Sequence, residues 1–312
     1  MPRQRYGCNH ATWCRSIFFR GYAPTSGEPL TENHIDRFTQ ALAAGGIRYA
    51  YIFSGPFDER GGLPAWAFSD RALRSIERMR ASYPALNILP WVGGVYGKTL
   101  RIDRREWIAN ATESVARLVG RLPVDGVHVD MECPIEAVDG LSMNDRAQRR
   151  YVDGVFNFHD GLRRAFPRLF ISSVVVSTAS GTRPWKRKHS LDELAALYPN
   201  VDQISFLYYD TAIRDRGAFV DNFDEQVDHL AVLRSAARSR VPQVLIGVGT
   251  FVNEPALRAY RDLRMENLRH TMQVIRNALN KRNSSRALVD GLAVYCEWHT
   301  TSAQWKQLRE EW

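Results

Sequence analysis

Short runs of β-branched and aromatic residues recur along this chain, and between them lie stretches in which apolar residues return every three or four positions. The runs are Ser16–Phe19, Arg48–Phe53, Asn87–Val92, Gly126–Met131, Phe170–Val176, Gln203–Tyr208, Val244–Gly249 and Leu292–Cys296, each of strand length. The periodic stretches Asp36–Ala44, Asp70–Tyr83, Ile108–Arg121, Gln148–Phe166, Leu191–Leu197, Asp224–Arg238 and Glu266–Asn280 separate them, and Trp305–Glu311 follows the last. Strands that alternate with helices of crossover length predict parallel pairing. Eight such units predict an α/β protein, a closed (β/α)8 TIM barrel. The 312 residues suit that fold, and no repeat, low-complexity block or Pro/Gly/Ser linker divides them. The expectation is a single domain over residues 1–312.

Composition changes this picture little. Charged residues make up 24% of the chain and the net charge is +8, almost all of the positive charge being arginine spread along the sequence. Such scatter reads as compositional bias rather than a nucleic-acid surface. The densest basic segment, Trp185-Lys186-Arg187-Lys188-His189, reads as a solvated loop. Cys8, Cys14, Cys133 and Cys296 are too few and too dispersed for a disulfide framework, although a Cys8–Cys14 bridge stays open. Cys8, His10 and Cys14 lack the second ligand pair of a zinc site, so neither metal nor cofactor is expected. There is no apolar leader of the signal-peptide kind and no run of about 18 apolar residues. The expectation is a cytoplasmic protein that engages no membrane and no nucleic acid, with export by another route left open and the oligomeric state undecided.

The chemistry concentrates in Val124-Asp125-Gly126-Val127-His128-Val129-Asp130-Met131-Glu132-Cys133-Pro134. His128, Asp130 and Glu132 occupy every second position and so share one face of the fourth strand, while Val127, Val129 and Met131 share the other. The apolar face suits the surrounding helices, which turns the polar face into the barrel. Carboxylates crowded there need partners or a catalytic task, because burial of an unpaired charge is costly. Mutual repulsion raises the pKa of one of them, as a general acid requires. Glu132 falls at the carboxyl end of the strand, where barrel enzymes place their reacting groups.

This segment resembles the strand-four signature D-G-x-D-x-D-x-E of glycoside hydrolase family 18, the chitinases and endo-β-N-acetylglucosaminidases. Asp125, Gly126, Asp130 and Glu132 match, and His128 stands where the family has its middle Asp. Asn87-Ile88-Leu89-Pro90-Trp91-Val92-Gly93-Gly94 is similar to the family's S-x-G-G strand, with Trp91 for Ser. Phe206-Leu207-Tyr208-Tyr209-Asp210 is similar to its M-x-Y-D strand, Tyr49-Ala50-Tyr51-Ile52-Phe53 to its aromatic second strand, and Gly291-Leu292-Ala293-Val294-Tyr295-Cys296-Glu297-Trp298 to its eighth.

The resemblance implies a glycosidase that cleaves β-linked N-acetylglucosamine glycans with retention, the acetamido oxygen of the sugar attacking its own anomeric carbon. Glu132 is then the general acid and later the base. Asp130 holds the acetamido N–H and offsets the oxazolinium charge, Tyr209 donates to the acetamido carbonyl, and Asp210 seats the sugar. At His128 an imidazole can hydrogen-bond Asp130 and, if cationic, keep it ionised; a purely structural histidine fits equally. Trp91, Tyr51, Phe53, Tyr208, Tyr295 and Trp298 are candidates for stacking on pyranose rings, with core packing as their ordinary role. Family spacing selects Tyr295 as the sugar floor, whereas residue type selects Trp298. Glu297 either contacts substrate or pairs with an arginine. The partner implied is an oligo- or polysaccharide. A carbohydrate-binding barrel without turnover is the competing class, and hydrolysis of phosphate esters or acidic sugars is a third that lacks a phosphate loop or ligand cluster.

Overall fold

The computed structural model of the chain describes residues 6–23, 26–181, 188–237, 240–254, 257–281 and 285–312. Its eight strands are β1 (His10–Cys14), β2 (Ile47–Pro56), β3 (Asn87–Val95), β4 (Gly126–Glu132), β5 (Phe170–Val176), β6 (Gln203–Leu207), β7 (Gln243–Gly249) and β8 (Gly291–Tyr295). Each pairs in parallel with the next, and β1 pairs with β8, closing the barrel. The (β/α)8 architecture is therefore as the periodicity predicts.

Every strand sorts its side chains by alternation. Ala50, Ile52, Val127, Val129, Phe206 and Val248 face outward into an apolar layer shared with the helices. Trp13, Tyr49, Tyr51, Leu89, Leu207, Tyr209 and Leu245 face inward and form a second, separate core inside the barrel. Burial on both faces makes parallel strands read as nearly continuous apolar runs.

The first strand lies earlier than expected. Ser16–Phe19 is not a strand: Ile17–Arg20 is a single helical turn, and Phe18 packs its ring 4.1 Å from that of Phe38 on the Glu32–Ala44 helix. The strand is His10–Cys14, with Ala11 and Trp13 inward and Cys14 outward. The run Ile17-Phe18-Phe19 is apolar because a helix covers it, and a short apolar run does not by itself distinguish strand from helix. Since Cys14 points to the helices and Cys8 is exposed, both are free thiols and the Cys8–Cys14 bridge is absent.

The Arg216–Ala236 helix begins eight residues before the expected Asp224, capped by the Asp215 carboxylate on the Ala218 N–H. Its inner face carries the buried Asn222 and Gln226, and these polar positions interrupt the apolar periodicity on which the expectation rested. Arg238, where that stretch was expected to end, and Trp185, Lys186 and Arg187 of the basic segment lie outside the described residues.

Candidate active site

A hydrogen-bonded floor crosses the middle of the barrel. Ser172 Oγ donates to Gln203 Oε1 at 2.9 Å, Tyr51 donates to the same oxygen, and Gln203 Nε2 donates to Gln243 Oε1 at 3.1 Å. His128 Nδ1 lies 2.8 Å from Ser172 Oγ. Because the Ser172 proton is committed to a carbonyl-type acceptor, its lone pair accepts from His128 Nδ1–H, which assigns the tautomer. The imidazole lies flat on the Tyr51 ring, centroids 3.6 Å apart and 5° from parallel. Complete burial holds its pKa well below the usual histidine value, so it is neutral. A cationic His128 that fixes the charge of Asp130 is thereby excluded; its hydrogen bond goes to Ser172.

Above this floor β4 carries Asp130, 8% exposed, and then Glu132 at its last position, half-buried. The β3 register sets Gly93 opposite Asp130 and Val95 opposite Glu132. A Cβ at Gly93 would stand 1.8 Å from the Asp130 carbonyl oxygen, so the two strands approach here only with glycine. The Glu132 carbonyl accepts from Tyr96 N–H at 2.9 Å, and Tyr151 donates its phenol to the Met131 carbonyl at 2.7 Å. These bonds tie both sides of the strand end to the β3 loop and to the Asp145–Ala165 helix.

Across the mouth, Tyr209 stacks on Tyr295 with centroids 4.7 Å apart. Burial pushes the Tyr295 phenol pKa up, and the charges of Tyr209, Cys296, Glu254 and Glu132 add to it in that order. Glu132 and Tyr295 therefore face one shared space. Trp13 anchors this aromatic group from below, edge-on to Tyr51, His128, Tyr295 and Tyr209 at 5.3, 5.6, 5.9 and 6.0 Å. It was missed from sequence because its strand was misplaced; the Ala11/Trp13 alternation with Thr12 and Cys14 is the signal that could have found it.

The remaining candidates divide. Trp91 and Phe53 are half-buried and meet edge to face at 4.8 Å on the β2–β3 side of the mouth. Trp298 stands edge-on to Tyr295 at 5.6 Å, so the two candidates for the sugar floor are neighbours, with Tyr295 inside and Trp298 on the turn beyond β8. Asp210 is buried in the loop three residues beyond β6. Three candidates do not join the mouth. Tyr208 points outward, stacked on Phe223 and bonded to Asn222 and Ser177, because adjacent strand residues face opposite ways and Tyr209 takes the inner position. Tyr51 is wholly enclosed in the floor beneath His128. Glu297 is held by Arg15, at 3.1 Å from the guanidinium and 3.4 Å from the backbone N–H, the arginine pairing that is one of its two expected roles.

No family model matches the sequence, and no curated protein does. Solved structures do match. The C-terminal domain of a putative chitinase from Desulfitobacterium hafniense superposes with a TM-score of 0.62 at 12% identity, covering 97% of each chain. The spore cortex-lytic enzyme SleL of Bacillus megaterium gives 0.60 at 10% identity over 99% of this chain and 74% of its own. A family 18 chitinase from Cycas revoluta, solved in complex with (GlcNAc)3, gives 0.59 at 11% identity over 97% and 98%. The fold is that of the family 18 chitinases. At such identities the likeness carries the chitinase-like barrel alone. Residue roles in this barrel rest on its own geometry.

Proposed function

We propose that this protein is a chitinase-like glycoside hydrolase acting on β-linked N-acetylglucosamine glycans, with retention and with the substrate's acetamido group as nucleophile. The observation that carries the reading is the placement of Asp130 and Glu132 on consecutive inward positions at the mouth of a chitinase-like barrel, with Tyr209 and Tyr295 across from them. Glu132, at the strand end and half-open, protonates the leaving glycosidic oxygen and then draws a proton from the incoming water. Asp130, deeper and buried, accepts the acetamido N–H and balances the positive oxazolinium as it forms. The Tyr209 phenol steadies the acetamido carbonyl as it turns toward the anomeric carbon. Groups held this rigidly act by orienting the reactants and countering developing charge, without rearranging during the reaction. Tyr295 and Trp298 offer the flat apolar surface on which a pyranose ring rests.

The test is a pair of substitutions. Glu132→Gln keeps the shape and removes the proton, and should lower kcat on chromogenic N-acetylglucosaminides by about two to four orders of magnitude with KM nearly unchanged. Asp130→Asn should cost rate chiefly on substrates that carry the acetamido group, and should weaken binding of a thiazoline analogue of the oxazolinium more than that of N-acetylglucosamine. Activity of Glu132→Gln within a few-fold of the parent on every substrate would overturn the assignment. Tight oligosaccharide binding with no turnover in the parent would make the barrel a carbohydrate-binding protein instead.

A further inference from the structure

On the β7–β8 side of the mouth, three side chains of different chemistry converge from two loops. Glu254 follows β7, and Cys296 and His299 belong to the turn after β8. Their ligand atoms all lie within 4.8 Å of one another, and His299 Nε2 is 3.6 Å from Glu254 Oε2. Among the described residues, no other group of three His, Cys, Asp or Glu side chains gathers in this way.

We propose that Glu254, Cys296 and His299 form a binding site for a divalent transition-metal ion of the zinc class. Thiolate, imidazole and carboxylate together suit zinc, whereas magnesium and calcium prefer oxygen alone. In a tetrahedral zinc site with bonds of about 2.0–2.3 Å, ligand atoms stand about 3.3–3.8 Å apart, so the His299–Glu254 pair already has the spacing and the thiol moves in by roughly an ångström. The surroundings prepare the thiol for this. Cys296 is wholly buried, and the backbone N–H of His299 is directed at its sulfur. Its backbone is pinned on both sides: its N–H donates to Thr250 Oγ1 at 3.2 Å, its carbonyl accepts from Thr300 Oγ1 at 2.8 Å, and the two threonine hydroxyls lie 2.7 Å apart. Backbone held this firmly supports ligand geometry in the way that outer hydrogen bonds support metal sites.

Binding consumes no oxidant. The ion takes up the Cys296 sulfur as thiolate, the neutral His299 nitrogen and the Glu254 carboxylate, and releases the thiol proton to solvent. Three protein ligands leave a fourth position for water or a ligand oxygen. That position lies beside Tyr295, whose phenol feels the charges of both Cys296 and Glu254. Cys296 and His299 are three residues apart after β8, while Glu254 lies 42 residues earlier after β7, so the sequence shows only two of the three ligands together. The metal-binding proposal stands without the glycan reading.

The test uses the full chain carrying Cys8→Ser, which removes the exposed thiol, after chelator treatment and titration with Co2+. One equivalent should produce the thiolate-to-cobalt charge-transfer band and the visible bands of tetrahedral cobalt, and Zn2+ should displace both. Cys296→Ser should abolish the charge-transfer band. His299→Ala, on a partly exposed turn where folding is retained, should weaken Co2+ and Zn2+ binding by about tenfold or more, with an unchanged melting temperature in the metal-free protein. No stoichiometric band, or a band that survives both substitutions, would overturn the site.

Discussion

His128 shows how a single residue reads differently in sequence and in space. From sequence it is a charge carrier placed among carboxylates; in the barrel it is a neutral ring pressed on Tyr51 that gives its one N–H to Ser172. Desolvation decides between the two, since an imidazolium enclosed here would forfeit its hydration with no carboxylate bonded to it. In a histidine-15N-labelled sample the His128 imidazole should show protonated Nδ1, bare Nε2 and constant shifts from pH 5 to 8; a titrating ring at this position would refute the tautomer. Glu132 and Asp130 were legible because period-two alternation assigns their face, and Tyr209 through the resemblance of its segment to the M-x-Y-D strand. Tyr208 and Glu297 were not. The first stands one residue from the strand end, where a one-residue shift reverses the face. The second depends on Arg15, a partner distant in sequence.

At the level of elements, the catalytic strand is positioned by the strand beside it. Gly93 lets β3 approach β4 at the level of Asp130, and any side chain would enter the Asp130 carbonyl. Gly93→Ala should therefore force β3 and β4 apart, destabilise the protein by about 3 kcal/mol or more in denaturant unfolding, and lower activity in whatever fraction still folds. Gly120→Ala, on a helix with nothing within 4 Å, serves as the control and should leave activity unchanged and stability equal or slightly raised. Seven of the eight strands were readable from apolar runs because both of their faces are buried. The first escaped because His10 and Thr12 dilute its apolarity, while the adjacent Ile17–Phe19 turn borrows a strand-like composition from the helices that cover it.

Across the whole molecule, three of the buried histidines lie in different layers: His128 in the floor, His10 between β1 and β8, and His159 on the buried face of the Asp145–Ala165 helix. Burial lowers His10 and His159 to about 4 and His128 well below its ordinary value. Each therefore binds a proton in the unfolded chain below about pH 6.5 while the folded chain refuses it, so stability is full above that pH and falls on acidification. The loss should approach about 1.4 kcal/mol per pH unit for each histidine between pH 6 and 4. Asp36 and Asp262, held at about 2 by Arg78 and Arg264, act only at lower pH, whereas burial raises the Asp290 and Glu297 carboxyls, which oppose the histidines without cancelling all three. Urea midpoints at pH 7, 6 and 5 should fall progressively, and His159→Gln should flatten the slope by about one proton; a pH-independent midpoint would contradict the buried neutral state. The order of strands and helices, the two-sided burial of the sheet and the inward face of Asp130 and Glu132 follow from residue periodicity, because alternation and helical repeat are local geometry. The tautomer of His128, the outward turn of Tyr208, the Arg15 pairing of Glu297, the aromatic group around Trp13 and the meeting of Glu254 with Cys296 and His299 were decided only when the barrel closed. Closure brings together side chains from strands that are distant in the chain, and their partners and desolvation exist only in that arrangement.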